Sequence, residues 1–304
     1  MNTIGVTMSV YNGAATLHQA LASIAAQTRP PDTVLLVDDG SSDLTAEVAS
    51  SWMQVLPLQL VRHERNLGLD AGRTTGVRHC DTDLILSLDA DDVWLPDHLA
   101  LLERRFEERP GIVSPRAVCW RPDGFAPIAW TRPAQPLPAR QDLSQLLVMN
   151  WLFSGSLFRR EALRGVGDTY RFGGCSDWDL WIRLMVAGEP SSTLAEPTVL
   201  YRLHKNNMSA DDRLLQTEIE VLTAFLDEGA KPDVTRAARR GLRHRRARVA
   251  LRAGYAHAEH GRPLSARRSA LGTPTGPLPV KARGLALLVA PGTTVRRRNA
   301  RGDR

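Results

Sequence analysis

Apolar and polar residues alternate in blocks along the first hundred positions. Ile4–Val10 is an apolar, β-branched run that stops at Tyr11-Asn12-Gly13. Such a run, closed by a turn, predicts a buried strand. Leu17, Leu21, Ile24 and Ala25 then recur at helical spacing, and Pro30-Pro31 ends that helix. The pattern repeats. Strands are expected at Thr33–Val37, Leu58–Val61 and Leu84–Leu88. Helices are expected around Ala46–Met53, from Asn66-Leu67-Gly68 to His79, and across Leu95, Leu99, Leu102 and Phe106. Regular alternation of this kind marks βαβ units and a mainly parallel sheet. Ligands of such sheets bind outside the carboxyl ends of the strands. Three polar clusters fall there, Ser9–Asn12, Asp38–Asp43 and Asp89–Asp92, and they are expected to converge.

Beyond Pro110 the pattern loosens. Gly111–Trp120 predicts a strand, and residues 121–140, with five prolines, predict a long loop or flap. Asp142–Met149 reads as helical and Ser156–Phe158 as a short strand, with a helix from Arg160 to Gly165. Asp177–Ala187 reads as a helix, Thr193–Leu203 as a last strand, and 211–228 as a helix. From Lys231 an Arg/Ala-rich helical stretch runs to about His260. A Gly-, Pro- and Arg-rich segment, expected to be poorly ordered, follows.

Charge sharpens this division. Residues 1–230 hold 20 Lys+Arg and 30 Asp+Glu, a net of −10, whereas residues 231–304 hold 19 and 3, a net of +16. An acidic body argues against nucleic acid as a partner, because phosphate contacts need basic surface. The basic tail suits either solvent or peripheral contact with an anionic membrane surface. No stretch approaches the roughly 20 apolar residues of a membrane span. Met1–Val6 has no basic n-region, and Cys80, Cys119 and Cys175 are widely spaced. Those features set the expectation of a cytoplasmic protein, held at most against the inner face of a membrane.

Leu88-Asp89-Ala90-Asp91-Asp92 carries the strongest chemical signal. Three carboxylates within four residues repel one another unless a cation neutralises them. Hard carboxylate oxygens suit Mg²⁺ or Mn²⁺, ions that bridge to substrate phosphates. The other reading is a solvated acidic turn. A dinucleotide enzyme would need G-x-G-x-x-G and a P-loop enzyme G-x-x-x-x-G-K-[ST], and the chain has neither.

Four segments in order, Val6–Gly13, Val37–Asp43, Asn66–Arg73 and Leu88–Asp92, resemble the family 2 glycosyltransferases of the GT-A fold. Ser176-Asp-Trp-Asp-Leu resembles that family's Glu-Asp-x-Asp-Leu helix start, with Ser176 where Glu is usual. Tyr201-Arg-Leu-His204 with Asn207-Met-Ser209 resembles its closing segment, so the likeness spans about residues 3–210. It implies an α/β, Rossmann-like, mainly parallel sheet with helices on both faces. Residues 1–110 would form the nucleotide-sugar half, residues 111–230 the acceptor half, and residues 231–304 a basic helical extension.

The resemblance also implies roles. Ser9 and Tyr11 would line the base or ribose pocket, Asp39 would read the base, and Arg73 would reach base or phosphates. Asp91 would hold ribose and assist the metal, Asp92 would hold the metal, and Asp89 would support both. His204 would be a further metal or diphosphate ligand. Asp177 would be the general base of an inverting transfer. Trp151, Ser154 and Asp179 would lie on the acceptor side. Six of them have a plainer reading: Asp39 as a turn cap, Arg73 as an exposed helical residue, Asp177 as an N-cap, His204 and Asp179 as structural, Trp151 as core. The implied donor is a nucleotide sugar, most commonly a UDP-sugar. The implied acceptor is a glycan, a glycolipid or a small molecule. A nucleotidyltransferase of related fold and a catalytically inactive sugar-binding protein are the competing readings.

Overall fold

The computed structural model describes residues 2–121, 124–125, 131–132, 141–204, 207 and 213–259. Contacts divide the chain into two compact units. One comprises Met1–Leu146 and Asn150–Ala210, the other Leu147–Met149 and Asp211–Arg304.

The first unit opens with the expected alternation: β1 (Ile4–Val10), α1 (Ala14–Ala25), β2 (Thr33–Asp38), α2 (Thr45–Ser51), β3 (Leu58–Arg62), α3 (Leu69–His79) and β4 (Leu84–Ser87). A two-residue strand β5 (Val93–Trp94) and α4 (His98–Glu108) follow. Next come β6 (Ile112–Arg121), β7 (Gly124–Phe125), β8 (Thr131–Arg132), α5 (Leu143–Leu146), β9 (Phe158–Arg159), α6 (Arg160–Gly165), α7 (Ser176–Val186) and β10 (Ser191–Arg202). Two sheets form, ordered β3-β2-β1-β4-β9 and β5-β10-β6-β7, with β8 also on β6. In the first sheet β1 to β4 are parallel and β9 runs antiparallel to β4. The apolar residues of β1, β2 and β4 are fully buried, which is why their sequences read as unbroken runs.

Register places the candidate site. Val10 lies opposite Asp38, and Thr7 opposite Ser87. The chain therefore leaves β1, β2 and β4 at one edge, where Tyr11, Asp39 and Asp89 follow. The expected convergence is present.

The looser half differs in detail. The helix expected over Asp142–Met149 is only Leu143–Leu146, because Leu147–Met149 belongs to the other unit. The short strand expected at Ser156–Phe158 is Phe158–Arg159, set by pairing with Leu84–Ile85. Of the expected flap, β7 and β8 pair with β6, while 122–123, 126–130 and 133–140 lie outside the described residues.

In the second unit, α8 (Arg213–Asp227) packs with α9 (Pro232–Glu259). Arg245 ties its three parts together: Nε pairs with Glu218 at 2.9 Å and Nη1 donates to Val148 O at 2.9 Å. A Cβ on Gly241 would come 2.1 Å from Leu147 O, so a glycine lets the 147–149 segment lie against α9. The division after Ala210 falls ahead of residue 230, where the sequence set it, because α8 finds its apolar partner in α9. No helix among the described residues is long and apolar enough to cross a membrane. Residues 260–304 lie outside the described set.

Candidate active site

The edge above β1 and β2 is built by backbone contacts. Asp39 is buried, and its amide donates to Val10 O at 2.8 Å. Its Oδ1 accepts from His63 Nδ1 at 2.6 Å and from Leu67 N–H at 2.9 Å, and Oδ2 accepts from Gly68 N–H at 2.8 Å. Asp39 thus anchors the Asn66-Leu67-Gly68 loop, and His63 is held in turn by Thr75 Oγ1 at 3.0 Å. Gly40, at φ +74°, brings the two loops together: a Cβ there would sit 2.5 Å from the Arg65 carbonyl carbon. Ser9 is half-buried beneath α3, where Gly72 permits the close approach, and Tyr11 is 51% exposed.

The acidic cluster after β4 splits three ways. Asp89 Oδ1 accepts from Arg73 Nη2 at 2.8 Å, and Oδ2 from the Ser154 hydroxyl at 3.3 Å. Asp91 Oδ2 lies 2.8 Å from His204 Nε2, and both side chains are about one-third exposed. Asp92 turns inward and is 1% exposed. Its Oδ1 accepts the Arg202 amide at 2.9 Å, while Oδ2 is buried with no hydrogen-bond partner among the described residues. Burial, then repulsion from Asp89 and Asp91, pushes the Asp92 carboxyl well above the usual carboxylate range.

Arg202 organises this corner, a role no sequence pattern announced. Its amide holds Asp92, its Nε donates to Asp91 O at 2.8 Å, and its guanidinium stacks 4.2 Å over Trp120. Asn207 fixes His204. Its side-chain oxygen accepts the His204 amide at 2.5 Å, and its NH₂ donates to Arg202 O at 3.0 Å.

Arg73 joins the acidic edge to α7. It is 9% exposed, donates to Asp89, and donates from Nη1 to Ser176 Oγ at 3.1 Å. Burial opposes its charge, but Asp89 and Asp177 outweigh that and hold the guanidinium more firmly protonated than usual. The same two contacts put Asp177, in the first turn of α7, on the Asp89 side of the molecule. Asp177 Oδ1 accepts the Trp178 amide at 2.8 Å. Tyr170 packs under Arg73, 5.8 Å from ring centre to guanidinium, and burial pushes its phenol up.

Of the residues expected on the acceptor side, Ser154 meets Asp89, while Trp151 and Asp179 are engaged inside the fold. Trp151 is 1% exposed and packs as core, so it offers no open face. Asp179 is buried in a fork of Arg171, at 2.7 and 3.0 Å, and Arg183, at 2.8 Å, which together use both its oxygens.

Residues 6–167 match the model of Glycosyl transferase family 2. The amylovoran biosynthesis glycosyltransferase AmsE of Erwinia amylovora is 29% identical over 213 residues, covering 68% of this chain and 78% of that one. Among solved structures, S. aureus TarS 1-349 in complex with UDP-GlcNAc superposes with a TM-score of 0.66 at 15% identity, covering 99% of this chain and 92% of that one. The mannosyltransferase PcManGT from Pyrobaculum calidifontis, in complex with GDP-Man and Mn²⁺, gives 0.63 at 20% identity, covering 97% and 84%. Those two likenesses bear on the fold. With the family model matched over more than half its length, the chain belongs to glycosyl transferase family 2 and is a glycosyltransferase of the GT-A fold.

Proposed function

We propose that this enzyme moves a sugar from a nucleoside-diphosphate sugar, a UDP-sugar first, to a hydroxyl acceptor with inversion. The observation that carries the reading is the Arg73 bridge, which ties the acidic end of β4 to the turn bearing Asp177. A donor held at Asp89–Asp91 would then present its anomeric carbon toward a carboxylate able to take the acceptor proton. General-base action of that kind contributes roughly 10²–10⁴-fold.

A divalent cation fits Asp91 and His204 better than Asp92. Ligands on neighbouring positions of an octahedral shell lie about 3 Å apart, given bond lengths of ~2.1 Å. Asp91 Oδ2 and His204 Nε2 are 2.8 Å apart and reachable from solvent. Among the described residues no group of three or more ligands is placed to hold a metal ion, so a cation at Asp91 and His204 would need water and substrate phosphate to complete its shell. Bound there, a cation would stabilise the departing diphosphate. Asp92 instead secures the end of β10 through the Arg202 amide. Asp39 fixes the loop beside the base pocket, and Ser9 and Tyr11 border it. Ser154 steadies Asp89 from the acceptor side, and Asp179 ties α7 to Arg171.

The test is release of nucleoside diphosphate from UDP-, dTDP- and GDP-sugars, with Mn²⁺ or with chelator, by wild type and Asp177→Asn. Metal-dependent release from one donor class, lost in the variant, is expected. No release of any diphosphate by folded protein would favour a sugar-binding role without turnover.

Arg236, Arg239, Arg240, Arg243 and Arg246 are exposed on α9 at helical spacing. That stripe supports contact with an anionic bilayer at the inner face of a membrane, where each basic residue adds ~1 kcal/mol. Co-sedimentation with phosphatidylglycerol vesicles checks it. Binding that survives replacement of all five by Gln contradicts it.

A further inference from the structure

The turn ahead of Asp177 is held from one side by a single helix. On α3, Asp70 Oδ2 accepts the Gly173 amide at 2.7 Å, Arg73 donates to Ser176 Oγ at 3.1 Å, and the Thr74 hydroxyl accepts the Tyr170 amide at 3.0 Å. Positions 70, 73 and 74 share one face of a helix. They grip three points of the segment Tyr170–Ser176. The other face of α3 is locked onto β1: a Cβ on Gly72 would lie 2.1 Å from Ser9 Oγ, and one on Gly76 3.4 Å from Thr7 Cβ. The helix therefore cannot retreat from the sheet without breaking this packing.

The gripped segment needs holding. Phe172 lies at φ +72° and Gly173 at φ +51°, two left-handed residues in succession. A bulky residue there is strained and persists only where its surroundings impose it. The Gly173 amide follows the strained peptide directly, and Asp70 is the group that takes it. The other oxygen of Asp70, Oδ1, is buried with no hydrogen-bond partner among the described residues. A buried carboxylate oxygen left so is costly. Serving the Gly173 amide accounts for placing a carboxylate at this position, which the four recognised motifs leave without a task.

We propose that Asp70 is a positioning residue of the transfer reaction. By holding the Gly173 amide, it fixes the left-handed turn from which α7 starts and so presents Asp177 at the right place. This rests on the reading of Asp177 as the base. The loop Asn66–Gly68, anchored by Asp39, leads directly into the start of α3 that carries Asp70, Arg73 and Thr74.

The experiment compares wild type, Asp70→Ala, Asp70→Asn, Asp177→Asn and Asp70→Ala/Asp177→Asn. Amide exchange is read by mass spectrometry, and turnover on the UDP-, dTDP- or GDP-hexose that wild type hydrolyses fastest. Asp70→Ala is expected to speed exchange of the 171–176 amides about tenfold or more, as loss of one charged hydrogen bond allows, with β1 unchanged. It is expected to lower kcat roughly 10- to 100-fold at unaltered donor KM, since small misplacement of a reacting group is that damaging. Asp70→Asn, which still accepts the amide, should stay within about threefold of wild type. In the Asp177→Asn background Asp70→Ala should cost almost nothing more. Unchanged exchange at 171–176, or losses that multiply in the double variant, overturns the role of Asp70 while leaving Asp177 as base. Wild-type turnover by Asp177→Asn overturns the base reading, and the positioning role with it.

Discussion

The edge above β1 and β2 and the turn ahead of α7 are built by different means. At the first, backbone amides meet a buried carboxylate, and glycines let loops touch: Asp39 takes Leu67 and Gly68 N–H, and Gly40 rests on Arg65. At the second, the amide contacts to Asp70 and Thr74 are joined by arginine side chains: Arg73 to Ser176, Arg171 and Arg183 to Asp179, Arg160 to Asp168. The first kind leaves short, contiguous motifs. The second leaves single residues, four to eight positions apart in the Arg171, Arg183 and Arg160 pairs and 103 apart for Arg73 and Ser176, that form no contiguous motif. The edge above β1 and β2 is a cradle of backbone contacts, whereas the turn ahead of α7 is held by side chains reaching it from α3 and from its own neighbourhood.

Substitutions can break this comparison, beginning with the largest effect. Asp177→Asn is expected to cut kcat by about 10²–10⁴ while the nucleotide still binds, as measured by steady-state rates and calorimetry. Equal loss of nucleotide affinity would place Asp177 at the donor edge instead. Arg73→Met removes the charge that joins Asp89, at the end of β4, to the turn ahead of α7. It should cost about 2–3 kcal/mol in urea unfolding, less than a fully buried pair because Asp89 keeps access to water. An unchanged midpoint would show that the bridge is incidental.

Gly40→Ala tests the cradle. A Cβ would meet Arg65 backbone at a positive φ, so a loss of about 1–3 kcal/mol is expected, with weaker nucleotide binding. Full nucleotide affinity in a destabilised protein would separate fold from site. His98 sharpens the electrostatic side of the comparison from outside both regions. Burial depresses its pKa to about 3 from 6.5, so only the neutral ring fits beside Trp94. The unfolded chain gains a proton below pH 6.5 and the folded one does not, so stability is full above that pH and falls as pH drops towards 3. The loss is about 2 kcal/mol between pH 6.5 and 5. His98→Gln should flatten the fall, and an unchanged slope of Tm against pH contradicts the assignment.

The parallel sheet and the edge where its polar clusters meet were legible because β1, β2 and β4 are buried on both faces and end in turn residues. The four motifs fell where the register brings them together. What the sequence could not show was direction. Asp91 and Asp92 are neighbours, yet one meets His204 and the other turns inward to the Arg202 amide, a choice made by where β10 arrives. Trp151 looked fit for a sugar face, but tertiary packing buried it. Asp70 and Thr74 sit in an ordinary helical stretch, and only the fold brings Gly173 and Tyr170 to them. The helix at 142–149 stops early because Leu147–Met149 docks against α9, a non-local contact that outweighs local propensity.

The proposed metal–nucleotide site lies at Asp91 and His204, with Asp92 serving structure. Calorimetric titration of UDP, dTDP and GDP with and without Mn²⁺, on wild type, Asp91→Ala, His204→Ala and Asp92→Asn, tests it directly. Metal-dependent binding of one nucleotide that is lost in Asp91→Ala, weakened in His204→Ala and kept in folded Asp92→Asn is predicted. Binding that survives Asp91→Ala and vanishes in folded Asp92→Asn would contradict the account.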